Sequence, residues 1–344
     1  MDKYDRLLLQ QLAPYLQVHF ANKSEKSSQE LLHNFQRYNV QGAIWDNCII
    51  KDRILNSKFI IRYPDNLDNS VDAAVNNEPK NQDLHSVLSP FNPQSDIYPN
   101  GLVSIKWFQK YLINYPFAIV GTFNLPCRSN SDDLGLSQLI NEIIRVKEHC
   151  NSSRGVQNSN RIHFVAIIIG DSNNNEEDRI SLLRSATGLL KLSGLYYLQD
   201  GPNLPRDASL LVTTLLSNMK LYAVEFYTSI ESRIKARSKK YYSFPPGALE
   251  KTNIPLKPEF LVARNTIKLA ILNQFVNPQN TELSIKTLLS AYDQLIELIS
   301  DNFSGPLQPH DIELYQQFRL YLDMLAFHII RGYMAVEDPL LSLR

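Results

Sequence analysis

A chain of 344 residues is longer than one hydrophobic core comfortably fills, so its length predicts about two domains, and an apolar content of 44% can supply both. Lysine plus arginine balance aspartate plus glutamate at 35 each, which excludes a bulk field drawing the chain onto nucleic acid or an anionic membrane. Three widely spaced cysteines, Cys48, Cys127 and Cys150, lack both the CxxC spacing of a metal knuckle and the even number of a disulfide framework, so thiols in a reducing compartment are expected.

The amino terminus, "MDKYDRLLLQQLAPYL", has its apolar run broken by Gln10 and Gln11 and lacks the h-region of a signal peptide. No stretch approaches the roughly eighteen apolar residues of a membrane span, so a soluble cytoplasmic protein is expected, and the sequons at Asn22, Asn151 and Asn302 read as chance. The first strand signal is "FIIRY" (59–63). The polar tract that follows, about 65–96, has too few large apolar residues to offset the entropy of ordering and reads as a disordered insertion. Next come a helix over "LVSIKWFQKYLINY" (102–115), a strand over "FAIVGTF" (117–123), a helix over "LSQLINEIIRVKEHC" (136–150) and a polar loop (151–160). "HFVAIII" (163–169) is apolar at successive positions, as in a strand covered on both faces. A helix over 176–194 and a strand over "LYYL" (195–198) complete an alternation that predicts an α/β domain, residues 1–206, with a mostly parallel sheet and crossover helices.

Beyond Pro205 the strand signals stop. Asp207 can cap a helix in which Leu211, Leu215, Met219, Tyr222, Phe226, Ile230 and Ile234 form one stripe, a spine of about 40 Å at 1.5 Å per residue. A proline-rich break (241–258) precedes three more helices, near Glu259–Phe275, Glu282–Ser300 and Asp311–Tyr333, each with one apolar stripe. Residues 207–344 therefore read as an all-α, solenoid-like region of the tetratricopeptide kind, without a strict repeat period. In the tail "EDPLLSLR", Asp338 as N-cap and Pro339 in the first turn announce a further helix, the mark of a truncated chain or of an unfinished repeat with an apolar edge.

The link after the third strand, "GDSNNNEEDR", sits where α/β folds bind phosphate. It has a single glycine, Gly170, and places Asp171, Glu176, Glu177 and Asp178 where an anion would sit, so it reads as a structural loop. The same carboxylates lack the spacing of a calcium loop. His163 at a strand edge and His328 on an apolar helical face read as core histidines, and "EHC" (148–150) has no orienting third group. No catalytic, cofactor or metal site is expected. The one charge concentration is "RIKARSKK", with Arg233, Lys235, Arg237, Lys239 and Lys240 at the end of the long helix. Cations there complement the helix dipole, or form a basic patch for an acidic partner or a membrane surface; aromatic interleaving for RNA is poor.

Several stretches carry a resemblance. "AIWD" (43–46), "PNGLVSIKWFQKYLINYPFAIVGTF" (99–123), "RSATGLLKLSGLYYL" (184–198), "EFYTSIESRIKARSKK" (225–240) and "FLVARNTIKLAILNQF" (260–275) resemble, in order, the foie gras region of subunit 11 of the trafficking protein particle (TRAPP) complex. "LLSAYDQLIELI" (288–299) and the final "FRLYLDMLAFHIIRGYMAVEDPLLSLR" continue it, while the first forty residues and the insertion at 65–96 fall outside the family pattern. The resemblance implies a non-catalytic, rod-like cytoplasmic subunit at the Golgi or ER exit sites, within a tether that assists nucleotide exchange on a Rab-family GTPase in ER-to-Golgi transport and autophagy. Its partners would be other TRAPP subunits. The alternative is a degenerate nucleotide-binding α/β domain with a helical regulatory half.

Overall fold

A computed structural model of the chain describes residues 8, 12–39, 59–64, 102–103, 105–127, 132–152, 162–171, 176–189, 194–241, 258–277, 280–307, 309–336, 338 and 340–341. The expected insertion at 65–96, the proline-rich break, most of the 151–160 loop, Cys48 and "AIWD" lie outside the described residues.

Five parallel strands form one sheet in the order β2-β1-β3-β4-β5: β1 Tyr15–His19, β2 Ile60–Arg62, β3 Ala118–Asn124, β4 His163–Asp171 and β5 Leu195–Asp200. Four of them are the predicted runs. The fifth, β1, was not expected, yet it sits between β2 and β3. Its apolar residues Leu16 and Val18 alternate with Tyr15, Gln17 and His19, all buried. Burial of the polar set is offset within the strand, since Gln17 Nε2 donates to the Tyr15 hydroxyl at 2.6 Å and Gln17 Oε1 lies 3.5 Å from His19 Nε2.

Period-two alternation sends each strand's side chains to two cores. One face carries Leu16, Val18, Val120, Val165, Ile167 and Leu198. The opposite face carries Ile119, Phe123, Phe164, Ile168 and Leu195. The second core is closed by α3 (Asp132–Ser152) and α4 (Glu177–Thr187) through Leu139, Ile143, Val146, Ile180 and Leu183. The first is covered by α1 (Lys26–Arg37) and the leading half of α5 (Leu204–Tyr241).

Three helical expectations shift. The 102–115 segment is not one α-helix: α2 (Ile105–Gln109) passes into a π-helical turn, Lys110–Asn114, closed by Tyr115 N–H donating to Lys110 O at 2.8 Å. The helix expected to reach 194 ends at Thr187, because Gly188 adopts φ 61° and donates its N–H to Arg184 O. The spine starts at Leu204, with Asp207 inside its first turn and its N–H donated to Asn203 O. Pro205 is tolerated there because the first turn leaves its N–H positions unpaired anyway. With 38 residues, α5 is about 57 Å long.

Down α5, Leu211, Leu215, Met219, Phe226, Ile230 and Ile234 are buried as the stripe predicts, and Tyr222 stacks on His163 with ring centroids 3.6 Å apart. Its trailing half begins an all-α stack in which each helix packs on the next: α6 (Pro258–Val276), α7 (Thr281–Phe303) and α8 (Pro309–Ala335). Asn280 caps α7 by accepting Leu283 N–H at 2.9 Å. At the tail, Asp338 Oδ1 accepts Leu341 N–H at 3.3 Å, the capping bond its sequence position implies. The segment before β3 is built into this stack: Leu102 N–H donates to Gln317 Oε1 at 2.7 Å, Leu102 O accepts Arg264 Nε, and Val103 O accepts the Tyr321 hydroxyl.

Candidate interaction surface

In the order β2-β1-β3-β4-β5 the connections leave β1 and β3 in opposite directions, so a ligand crevice would lie beyond their carboxyl ends. At that rim the described side chains bond one another. Ala21 N–H donates to Thr122 Oγ1 at 3.0 Å, and Asn22 Oδ1 accepts from the N–H and hydroxyl of Ser24 at 3.1 and 2.7 Å, turning the chain into α1. The Glu25 carboxylate then accepts from Asn22 Nδ2 at 3.0 Å and from Asn124 Nδ2, at the end of β3, at 2.9 and 3.0 Å. Glu25 is the residue that flanks α1, where the helix dipole favours negative charge. A carboxylate of the protein thus stands where a phosphate would be favoured, and it clasps the β1–α1 turn to β3.

Among the described residues the acidic link after β4 is likewise structural. Glu176 is buried and pairs with Arg179 at 3.0 Å, while Arg179 also donates to Pro126 O at 2.9 Å. Glu177 and Asp178 lie exposed in the first turn of α4, where acidic residues suit the dipole. Among the described residues no three of His, Cys, Asp and Glu gather as a metal site would require. Gly170 leaves room for protein: a Cβ there would stand 2.9 Å from the Tyr197 ring.

Of the basic run, all five backbones lie in the last turns of α5. Arg233 is half-buried, and Lys235 is exposed and pairs with Glu231 at 2.7 Å one turn back. Such an exposed pair is worth less than about 1 kcal/mol, so it leaves Lys235 available to a stronger partner. The side chains of Arg237, Lys239 and Lys240 lie outside the described residues.

Residues 2–204 match the sequence family of the trafficking protein particle complex subunit 11 N-terminal domain. The chain belongs to this family. No curated protein matches it. The family is that of a TRAPP complex subunit, and its match begins at residue 2, so the first forty residues, with β1 and α1, belong to the family pattern that the quoted stretches had left them outside. The match closes at residue 204, where α5 starts.

The histidines and thiol singled out in the sequence sit in packing roles. His328 is 2% exposed, and burial, with a smaller push from Arg331, lowers its pKa to about 3. Burial raises the Cys150 thiol to about 12, so it stays protonated and a poor nucleophile. Sequence reasoning missed the Glu25 clasp, whose one local signal was a Ser-Glu pair ahead of a weakly apolar helix. Among the described residues no helix is long and apolar enough to cross a membrane.

Proposed function

We propose that the chain is a non-catalytic interaction subunit of the TRAPP complex, supporting activation of a Rab-family GTPase through protein contacts during ER-to-Golgi transport and autophagy. On this reading it is cytoplasmic, peripherally associated with the Golgi or ER exit sites, and contributes surface to the assembly. The observation that carries it is the family match across the α/β layer. The Glu25 carboxylate, bonded to Asn124 at the strand ends where an anion would be favoured, supports the non-catalytic half of the reading.

Affinity purification of the tagged full chain from cells, followed by mass spectrometry, tests this directly. Recovery of other TRAPP subunits is expected; their absence from a folded bait overturns the reading. Within that assay, charge reversal of Arg233, Lys235, Arg237, Lys239 and Lys240 is expected to weaken capture without lowering the melting temperature. Unchanged capture assigns the run to the helix dipole alone. The sheet order favours one second reading, a degenerate nucleotide-binding domain with a helical regulatory half. Calorimetric titration with GTP, ATP and NAD separates the two, and binding tighter than about 10 μM would select the second.

A further inference from the structure

Where β1 pairs with the edge strand β2, a cleft of about 370 Å³ opens on the sheet, within the size range of small-ligand pockets. Tyr15 and Gln17 of β1 line it together with Arg62 and Tyr63 from the end of β2 and Ile113 and Asn114 from the π-helical turn. Gln17 is in register with Arg62, which brings both side chains to one face. The Arg62 guanidinium lies 5.8 Å from the Tyr15 ring centroid, a cation–π contact that fixes the group while leaving its N–H edge to other acceptors. No carboxylate among the described residues pairs with Arg62. The Gln17–Tyr15 hydrogen bond, 2.6 Å long and buried, makes the floor rigid.

This lining selects a ligand by its chemistry. A guanidinium presents two parallel N–H donors that match the two oxygens of a carboxylate. Its single charge balances a monoanion; a phosphate dianion calls for a second cation, and the cleft has none among these residues. Asn114 adds an exposed amide donor, while the half-buried Tyr63 and Ile113 offer apolar surface to whatever carries the acid. We propose that the cleft binds a carboxylate on an aromatic or apolar stem, the acid forked by Arg62 and met by the Asn114 amide, the stem lying on Tyr63 and Ile113. A free aromatic acid and the carboxyl terminus of a polypeptide share this chemistry.

Saturation-transfer difference NMR on the full chain tests it with benzoate and the neutral isostere benzamide at equal concentration. Benzoate is expected to bind with Kd on the order of 1 mM, as suits a fragment of its size, and benzamide at least about tenfold more weakly. Arg62→Gln should cost benzoate a similar factor with an unchanged melting temperature, because the side chain is exposed. Arg62→Lys, which keeps the charge and loses the fork, should fall between. Displacement of benzoate by N-acetylglycylphenylalanine assigns the site to a polypeptide terminus, and retention of benzoate assigns it to small acids. No benzoate signal, equal signals from benzoate and benzamide, or an Arg62→Gln variant that binds like the parent overturns the proposal.

Discussion

At the described edge of the sheet Asn39 closes the rim of β2. Its side-chain Oδ1 accepts Ile61 N–H at 2.8 Å and its Nδ2 donates to Ile61 O at 3.0 Å, so the outer rim of β2 offers neither group to another chain. Ile61 is buried, so Asn39→Ala leaves two main-chain groups without partners and should lower stability by about 1–3 kcal/mol. A urea melt checks the loss, and light scattering should show earlier aggregation as the rim opens. Two histidines make a separate prediction about pH. His19 and His328 are held neutral by burial, with pKa values lowered from 6.5 to about 4 and about 3, Lys23 and Arg331 adding to the shift. The unfolded chain therefore binds these protons at a higher pH than the folded chain does. Stability from both is complete above 6.5 and is lost as pH falls toward the folded values, by up to about 1.4 kcal/mol per pH unit for each group. His328→Leu should flatten the dependence of the urea midpoint on pH between 6.5 and 4.5; an unaltered slope would show that the imidazole protonates freely in the fold.

Among the elements, α5 ties the layers together, and one hydroxyl shows how. The side chain of Tyr227, fully buried in the trailing half of α5, accepts Tyr15 N–H at 3.1 Å at the start of β1. Tyr227→Phe keeps the ring and orphans that N–H, so a loss of about 1–3 kcal/mol is expected in thermal unfolding, whereas Leu210→Ala on the exposed side of the same helix should change stability little. The apolar stripe of α5 was legible because burial on one side of a long helix imposes its period on the sequence. The strands β3 to β5 were legible for a related reason, since cover on both faces demands apolar runs, whereas the edge strand β2, with only Ile61 buried, showed through its isoleucine-rich run. β1 escaped because Gln17 and His19 break its run, and what makes their burial tolerable, the bonds to Tyr15 and to each other, depends on side-chain directions that spacing does not reveal. The weak apolar stripe of α1, Leu31 and Phe35 among Ser27, Ser28 and Asn34, hid the helix in the same way. The Glu25 clasp needs Asn124 from a strand 99 residues away, a contact that only the sheet order creates.

Over the whole molecule, the first core runs without interruption from the sheet face, along α5 and into the stack of α6 to α8. The boundary read from the sequence, between residues 206 and 207, falls inside the first turn of α5. Cutting there would strip the sheet of the helix that covers Val165, Ile167 and Leu198, and would expose Leu102, Trp107 and Phe108, which belong to the same core as Phe318 and Tyr321 of α8. Phe108 stacks on Tyr321 at 6.4 Å, Lys268 of α6 lies 5.4 Å from the Trp107 ring, and the buried Arg264 bonds the carbonyl of Leu102. The fragment would lose these contacts and leave Tyr15 N–H without its acceptor. Burying a large apolar side chain is worth about 1.5–3 kcal/mol, so losing several exceeds the 5–15 kcal/mol by which domains are typically stable. Residues 1–206 expressed alone should therefore give no cooperative thermal transition and bind a hydrophobic dye. Co-expression with residues 207–344 should restore both a single transition and copurification of the halves. A sharp melt and dispersed amide resonances from 1–206 alone would show instead that the sheet carries its own stability and that α5 to α8 is an attachment it can lose.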